Sequence, residues 1–426
     1  MPSLMKRQTQ FQLSLVGSLP TALGAICFLT ACSGLLNAGD WPQWRGPNRD
    51  DVSTEKGLLK NWPAAGPPLM WKATQLGAGH AGIAVAGGRV FTMGEKGDSS
   101  FALALNDVDG KEIWRTKIGK PGGGPPGPRG TPSVDGDRVY VLGQFGDLVC
   151  LKAATGEEIW RKNLEKDFGG KCGGWNYTES PLVDGDRVIC TPGSSQGSMV
   201  ALSKTTGQLL WQTKEIGDAA EYSSPIIQQI DGVRQYIQLT GEHVFGAEAQ
   251  TGKLLWRASR HGETATVPTP IFHDNQVYVS SGYGIGCNLF QISKTGNEFQ
   301  ASQVYANKVM VNHHGGVVRV GEYLYGYSDG KGWVCQEFKT GKMVWSDKGV
   351  GKGSLTCADG HLYLRGEDGK GPIALIEVTP EGYREKARFD QPERSKENSW
   401  PHPVIANGKL YIRDQDVLLC FNVKDA

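Results

Sequence analysis

Apolar positions along this chain come in short bursts set between turn residues. T-P-S-V-D-G-D-R-V-Y-V from Thr131, S-P-L-V-D-G-D-R-V-I-C from Ser180, T-P-I-F-H-D-N-Q-V-Y-V from Thr269 and H-P-V-I-A-N-G-K-L-Y-I from His402 share one pattern. Each reads as strand, two-residue turn, strand, because Asp-Gly and Asn-Gly tolerate the positive φ that tight hairpin turns demand. Looser versions begin near Gly82, Ser224, Gly316 and Ser354, which makes eight.

A second phrase alternates with the first. T-G-E-E-I-W ends at Trp160, T-G-Q-L-L-W at Trp211, T-G-K-L-L-W at Trp256 and T-G-K-M-V-W at Trp345. Anchored on the strand-ending aromatic, the series runs Trp71, Trp114, Trp160, Trp211, Trp256, Phe299, Trp345, Phe389, at intervals of 43, 46, 51, 45, 43, 46 and 44 residues. Phe299 and Phe389 are placed by spacing more than by identity. Each unit therefore supplies four short strands, and a four-stranded antiparallel sheet repeated radially is a β-propeller blade. One blade cannot bury both of its faces, whereas a closed ring buries all of them, with each aromatic packed between neighbours.

The last copy, from His402 to Phe421, has only three strands, while Leu69-Met70-Trp71-Lys72 arrives with no hairpin before it. The N-terminal strand is thus expected to complete the C-terminal blade and remove the open sheet edges. The expected fold is an all-β, eight-bladed β-propeller over residues 67–426. An N-terminal extension, 33–66, and a signal segment, 1–32, precede it.

Composition agrees. The 426 residues include 59 Gly, 12 Trp and 13 Tyr with 21% charged residues, which suits many tight turns rather than helices. Lys plus Arg number 45 against 44 Asp plus Glu. That balance gives no basic excess of the kind a nucleic-acid binder needs, so no nucleic-acid partner is expected.

The N-terminus reads as an export signal. Lys6 and Arg7 precede a mostly apolar run from Phe11 to Phe28 that ends in L-T-A-C at Leu29–Cys32. L-T-A-C resembles the bacterial lipobox, which would make Cys32 the lipidated first residue of a mature envelope protein in the periplasm. Cleavage after Leu36-Asn37-Ala38 and an uncleaved anchor are the competing readings; Pro20 counts against a spanning helix. Of nine cysteines, seven lie beyond this segment, an odd number that leaves at least one unpaired within the chain. Cys150, Cys335 and Cys420 recur at matching strand positions and read as small buried hydrophobes.

The T-G-K-L-L-W phrase is similar to the tryptophan-docking repeat of the pyrroloquinoline quinone (PQQ) family. The resemblance runs from D-W-P-Q-W-R-G-P at Asp40 to C-F-N-V at Cys420. Such repeats build quinoprotein dehydrogenases and also non-catalytic relatives, among them the lipoprotein propeller of the outer-membrane β-barrel assembly machinery. The enzymes carry adjacent cysteines beside the quinone and long insertions between blades. This chain has no Cys-Cys pair, and its intervals stay compact.

In a propeller the innermost strands begin near the central channel, where loops form a binding funnel. Two residues before each [S/T]-P position stand His80, Arg129, Thr178, Tyr222, Val267, His314, Lys352 and Trp400. Closure makes His314, Lys352, Trp400, His80 and Arg129 one arc, with four potential cations around an indole that offers a stacking face. Opposite lie Thr178, Tyr222 and Val267, with Glu179, Glu221 and Glu263 close in sequence. Such a funnel suits a planar, polar or anionic ligand; alternatively, these positions are polar simply because they face water. The glycine-rich loop G-G-K-C-G-G-W-N-Y adds Trp175, Asn176 and Tyr177, and its rim aromatics suit carbohydrate or peptide, or else cover a blade top.

His313-His314 resembles a metal pair, but adjacent strand residues point to opposite faces, so only one is expected to face the channel. A metal site would also need His261, His402 or a carboxylate, and none is assigned. P-G-G-G-P-P-G-P at Pro121–Pro128 lacks the ending of a phosphate loop. The expected function is an exported scaffold that binds a protein or a small polar ligand through its funnel. The alternative is a PQQ-dependent alcohol or sugar dehydrogenase using calcium, with Arg129 and Lys352 on quinone carboxylates and Glu179 or Glu221 as the base.

Overall fold

The computed structural model describes residues 39–425. The expected signal segment and Cys32 lie outside the described residues. Strands dominate, with one short helix, Leu164–Phe168, among the described residues. They form eight sheets, and each sheet is built from strands consecutive in sequence except at the point of closure and in blade 7, which Val52–Ser53 joins. Blades 1 to 7 span 84–119, 133–163, 182–212, 226–259, 271–307, 317–347 and 353–390. Blade 8 takes Val404–Ala406, Lys409–Asp414 and Val417–Asn422 and is finished by Leu69–Ala73, which pairs antiparallel with Val417–Asn422. The two ends of the ring share one blade.

Apolar side chains gather in eight clusters, one between each pair of neighbouring blades. Blade 8 contributes Trp71, Tyr411 and Leu418 against Val85, Val90 and Leu103 of blade 1. Blade 3 contributes Leu182 and Ile189 against Tyr236 and Phe245 of blade 4. Alternation along a strand explains this, since successive side chains point to opposite faces and each face meets a different neighbour. The innermost strands touch their neighbours between blades 1 and 2, 2 and 3, 6 and 7, and 7 and 8.

The T-G phrase has a steric purpose. Gly110 (φ 71°), Gly156 (φ 72°), Gly207 (φ 70°) and Gly252 (φ 75°) sit in the left-handed region. A Cβ on them would come within 2.5, 2.6, 2.8 and 2.3 Å of Trp71, Trp114, Trp160 and Trp211 of the preceding blade. Each indole lies flat on the next blade's glycine turn, and its Nε1 donates to a carbonyl there: Trp71 to Asp107, Trp114 to Ala153, Trp160 to Lys204, Trp211 to Ala249. Directly across the strand from Trp71, Trp160 and Trp345 stand Cys420, Cys150 and Cys335, all buried and unpaired. Ala104, Ala201 and Gly246 hold that place opposite the other tryptophans.

Blade 5 departs from the expected series. Its outer hairpin, Gly286–Thr295 with Glu298–Asn307, is longer than the rest. The aromatic that docks on blade 6 is Tyr305, whose hydroxyl donates to the Phe338 carbonyl at 2.8 Å and whose ring meets Gly341. Phe299 instead packs near Trp256 at the blade 4–5 boundary. Spacing chose the wrong aromatic because the hairpin's extra length moved the docking point.

Candidate functional site

Residues 40–51, D-W-P-Q-W-R-G-P-N-R-D-D, form a strap across the centre of the ring. Trp41 pairs with Val85 of blade 1, and the Pro42 carbonyl accepts from Val134 N of blade 2. Arg49 donates to the Ser180 and Pro181 carbonyls ahead of blade 3, at 2.8 and 3.1 Å. Trp44 Nε1 donates to Thr269 Oγ1 ahead of blade 5 at 2.9 Å, and Arg45 Nη2 to the Val317 carbonyl of blade 6 at 2.6 Å. The Asp51 carbonyl accepts from Cys357 N of blade 7, and Val52–Ser53 then adds a parallel fifth strand there. With the Asp51 side chain on His402 ahead of blade 8, this segment reaches seven blades at once and lies on the axis. Arg45, Arg49 and Asp51 carry φ near +60°, so the strap folds back on itself through left-handed residues.

Asp51 is the strap's electrostatic anchor. Its Oδ2 lies 2.9 Å from Arg45 Nε and 3.0 Å from His402 Nδ1, and all three side chains are buried. The opposite nitrogen of His402 lies 3.1 Å from the backbone carbonyl of His314. Both ring nitrogens thus face acceptors, which locks the orientation of His402.

Above the strap is a cavity of about 330 Å³. Seven of the eight aligned axial residues line it: His80, Arg129, Thr178, Tyr222, Val267, His314 and Trp400. Trp175 also lines it, and its backbone N–H donates to the Tyr222 hydroxyl at 3.2 Å. The eighth, Lys352, stands behind the wall with its Nζ 2.8 Å from His313 Nδ1 and 3.4 Å from Asp329. Asn176 does not line the cavity; it occupies a left-handed turn (φ 65°) with its amide beside Gly123. Residues not assigned from sequence also line it: Trp44 from the strap, Tyr283, Ala265 and His313. The pairing of two large aromatics with two arginines ahead of the first blade strand was the one signal that could have revealed the strap.

Three expectations about the walls need correction. The histidines of the basic arc supply no positive charge, because burial pushes His80 down to about 3 and lowers His314, as it pushes the neighbouring His313 down to about 3. Arg129, also lowered by burial, keeps its charge. Trp400 offers no free stacking face toward blade 1, since His80 stacks on it at 4.3 Å with 28° between planes, while His314 packs at 5.5 Å. The acidic arc is absent from the cavity. Glu179 is buried behind the wall, accepting from Thr191 N at 2.5 Å, and Glu221 leans toward Thr266 and Gly241; burial raises both to about 7. Neither weak candidate base reaches the lining, and Glu263 is exposed.

The histidine pair also differs from expectation. Residues 313–315 form a bend rather than a strand, so His313 and His314 both face the cavity, with ring centroids 4.9 Å apart. His314 Nε2 lies 2.8 Å from Glu367 Oε2. Within the lining, Arg129 Nη1, His80 Nδ1 and His314 Nδ1 are buried without hydrogen-bond partners. They are the unsatisfied polar atoms of the cavity wall. His261 pairs with Glu242 at the surface, away from them.

Residues 100–308 match the PQQ_2 family, described as outer membrane protein assembly factor BamB. The chain is a PQQ-repeat propeller. Solved structures share this propeller's fold at low identity. BamB from Moraxella catarrhalis matches at 15% identity and a TM-score of 0.56, over 78% of this chain and 94% of that one. Quinohemoprotein alcohol dehydrogenase from Comamonas testosteroni matches at 11% and 0.62, over 93% and 82%. The computationally designed Ika8 protein matches at 12% and 0.59, over 84% and 100%. No curated protein matches the PQQ-repeat propeller in sequence. Among the described residues, no helix is long and apolar enough to cross a membrane.

Proposed function

We propose that this propeller is an exported binding protein whose axial cavity takes a small, flat, largely apolar ligand bearing one acidic group, free or presented by a partner protein. The observation that carries this reading is the composition of the lining. Trp44, Trp175, Tyr222 and Tyr283 supply apolar aromatic surface, and Arg129 is the one cation of the lining, with Nη1 unpaired. Aromatic walls with a few placed polar groups are the usual design of a small-molecule site.

A quinone with calcium fits these residues poorly. PQQ carries three carboxylates, while the lining offers one arginine and imidazoles that burial keeps neutral. No Asp or Glu lines the cavity to hold a divalent cation or to accept a hydroxyl proton. Among the described residues, no group of three or more His, Cys, Asp or Glu is placed to hold a metal. These side chains favour binding over alcohol oxidation.

The test is a titration with 2-naphthoate and 2-naphthamide followed by tryptophan fluorescence. Naphthoate is expected to bind more tightly, and Val267→Trp, which fills the cavity, to abolish both. Arg129→Gln should weaken naphthoate by about 1.5–3 kcal/mol through loss of a charge-assisted hydrogen bond. Binding of neither probe would remove the ligand reading, and equal affinities would remove the charged contact.

Residues 1–32 are proposed to direct export, with Cys32 as a lipid anchor. Cys32→Ser should then move the protein from the membrane fraction to the soluble one. Unchanged partition rejects the anchor.

A further inference from the structure

The strap enters the cavity as well as the channel. Trp44 forms part of its wall, and three of the strap's other polar contacts end on chain segments that supply lining residues. Arg49 holds the carbonyl of Ser180, itself a lining residue two positions after Thr178. Trp44 Nε1 holds Thr269, two positions after Val267. Asp51 holds His402, which lines the cavity and passes the contact on to the backbone of His314 at 3.1 Å.

We infer that Trp44 and Asp51 are positioning residues of this binding site, and that ligand occupancy and docking of the strap form one linked equilibrium. This inference rests on the cavity-binding reading above. Its physical basis is simple. Polar side chains buried in the strap are paired in the docked state, and there the strap also pairs the Ser180 and Val317 carbonyls, the Thr269 hydroxyl and His402 Nδ1. A ligand that touches both then favours the docked state over the loosened one by its differential contacts, and linkage requires the reverse effect with equal size.

Neither Trp44 nor Asp51 needs to react with the ligand. Trp44 supplies a face, and Asp51 supplies orientation through His402. The strap holds by a two-residue parallel pairing, the Trp41–Val85 bridge, one backbone bond from Val134 and scattered side-chain bonds rather than by a long ladder, so it can open locally without unfolding a blade.

Amide hydrogen exchange on the full chain tests this, with 2-naphthoate as the probe. Saturating probe should slow exchange at strap amides whose bonds leave the segment, such as Trp41 N, by at least about tenfold. Outer-strand amides of Met343–Asp347 should be unaffected. Conversely, Asp51→Asn should speed strap exchange and raise the probe Kd about tenfold or more. If Asp51→Asn fails to fold, the wild-type exchange experiment decides alone, and Trp44→Phe, which keeps an aromatic face but loses the indole bond to Thr269, gives a second variant with the same expected direction. Probe bound with strap exchange unchanged overturns the linkage while leaving the cavity reading intact. Absence of any probe binding overturns both.

Discussion

At the scale of single residues, glycine decides how blades meet. Gly110 and Gly252 combine positive φ with an indole lying where a Cβ would be, so Gly110→Ala and Gly252→Ala meet both backbone strain and a clash. Each should lower stability by about 2–4 kcal/mol, summing roughly 1 kcal/mol for the left-handed conformation and 1–3 for overpacking. Gly136, with φ 59° but open space around it, provides the control: Gly136→Ala should cost only about 1 kcal/mol in urea unfolding. Similar losses at Gly110 and Gly136 would reject the stacking argument.

Residue chemistry also sets a pH response. Unfolded imidazoles take up protons below about 6.5, whereas buried His80 and His313 wait until about 3. Their contribution is therefore full above 6.5 and lost as pH falls toward 3. Glu179 and Glu221, raised by burial to about 7, act in the opposite sense, and their contribution is lost as pH rises from about 4.5 to 7. The two effects oppose between pH 4.5 and 6.5. Below 4.5 only the imidazoles of this set still act, so the urea midpoint should drop, and His80→Gln should lessen the drop. An identical acid profile in the variant refutes this assignment.

At the scale of elements, the closing strand Leu69–Ala73 carries a disproportionate role. It covers the exposed edge of Val417–Asn422 and places Trp71 on blade 1. A chain starting at residue 75 lacks both this strand and the strap. It should lose the folded monomer, which size-exclusion chromatography and circular dichroism would register as aggregation with altered β signal. Within blade 5, Tyr305→Phe removes one hydrogen bond to blade 6 and should cost about 1 kcal/mol in thermal unfolding.

At the scale of the molecule, what was readable in the sequence follows from repetition. Hairpin and T-G phrases recur, so each copy checks the others, and their alignment found seven of the cavity's residues without coordinates. Lys352 escaped because its side chain turns to Asp329 and His313, a choice made by unrepeated neighbours. The neutrality of His80 and the withdrawal of Glu179 depend on burial, which no spacing reports. The strap was invisible as a strap because it occurs once, and its partners lie as far as 351 residues away.

That distance orders events during synthesis. The strap leaves the ribosome before any blade, yet its seat includes Ser180, Thr269, Val317, Cys357 and His402, the last of which emerges close to the end of the chain. Until those later partners have emerged, Arg45, Arg49 and Trp44 lack a complete seat. Completion of the final blade and seating of the first segment then happen together.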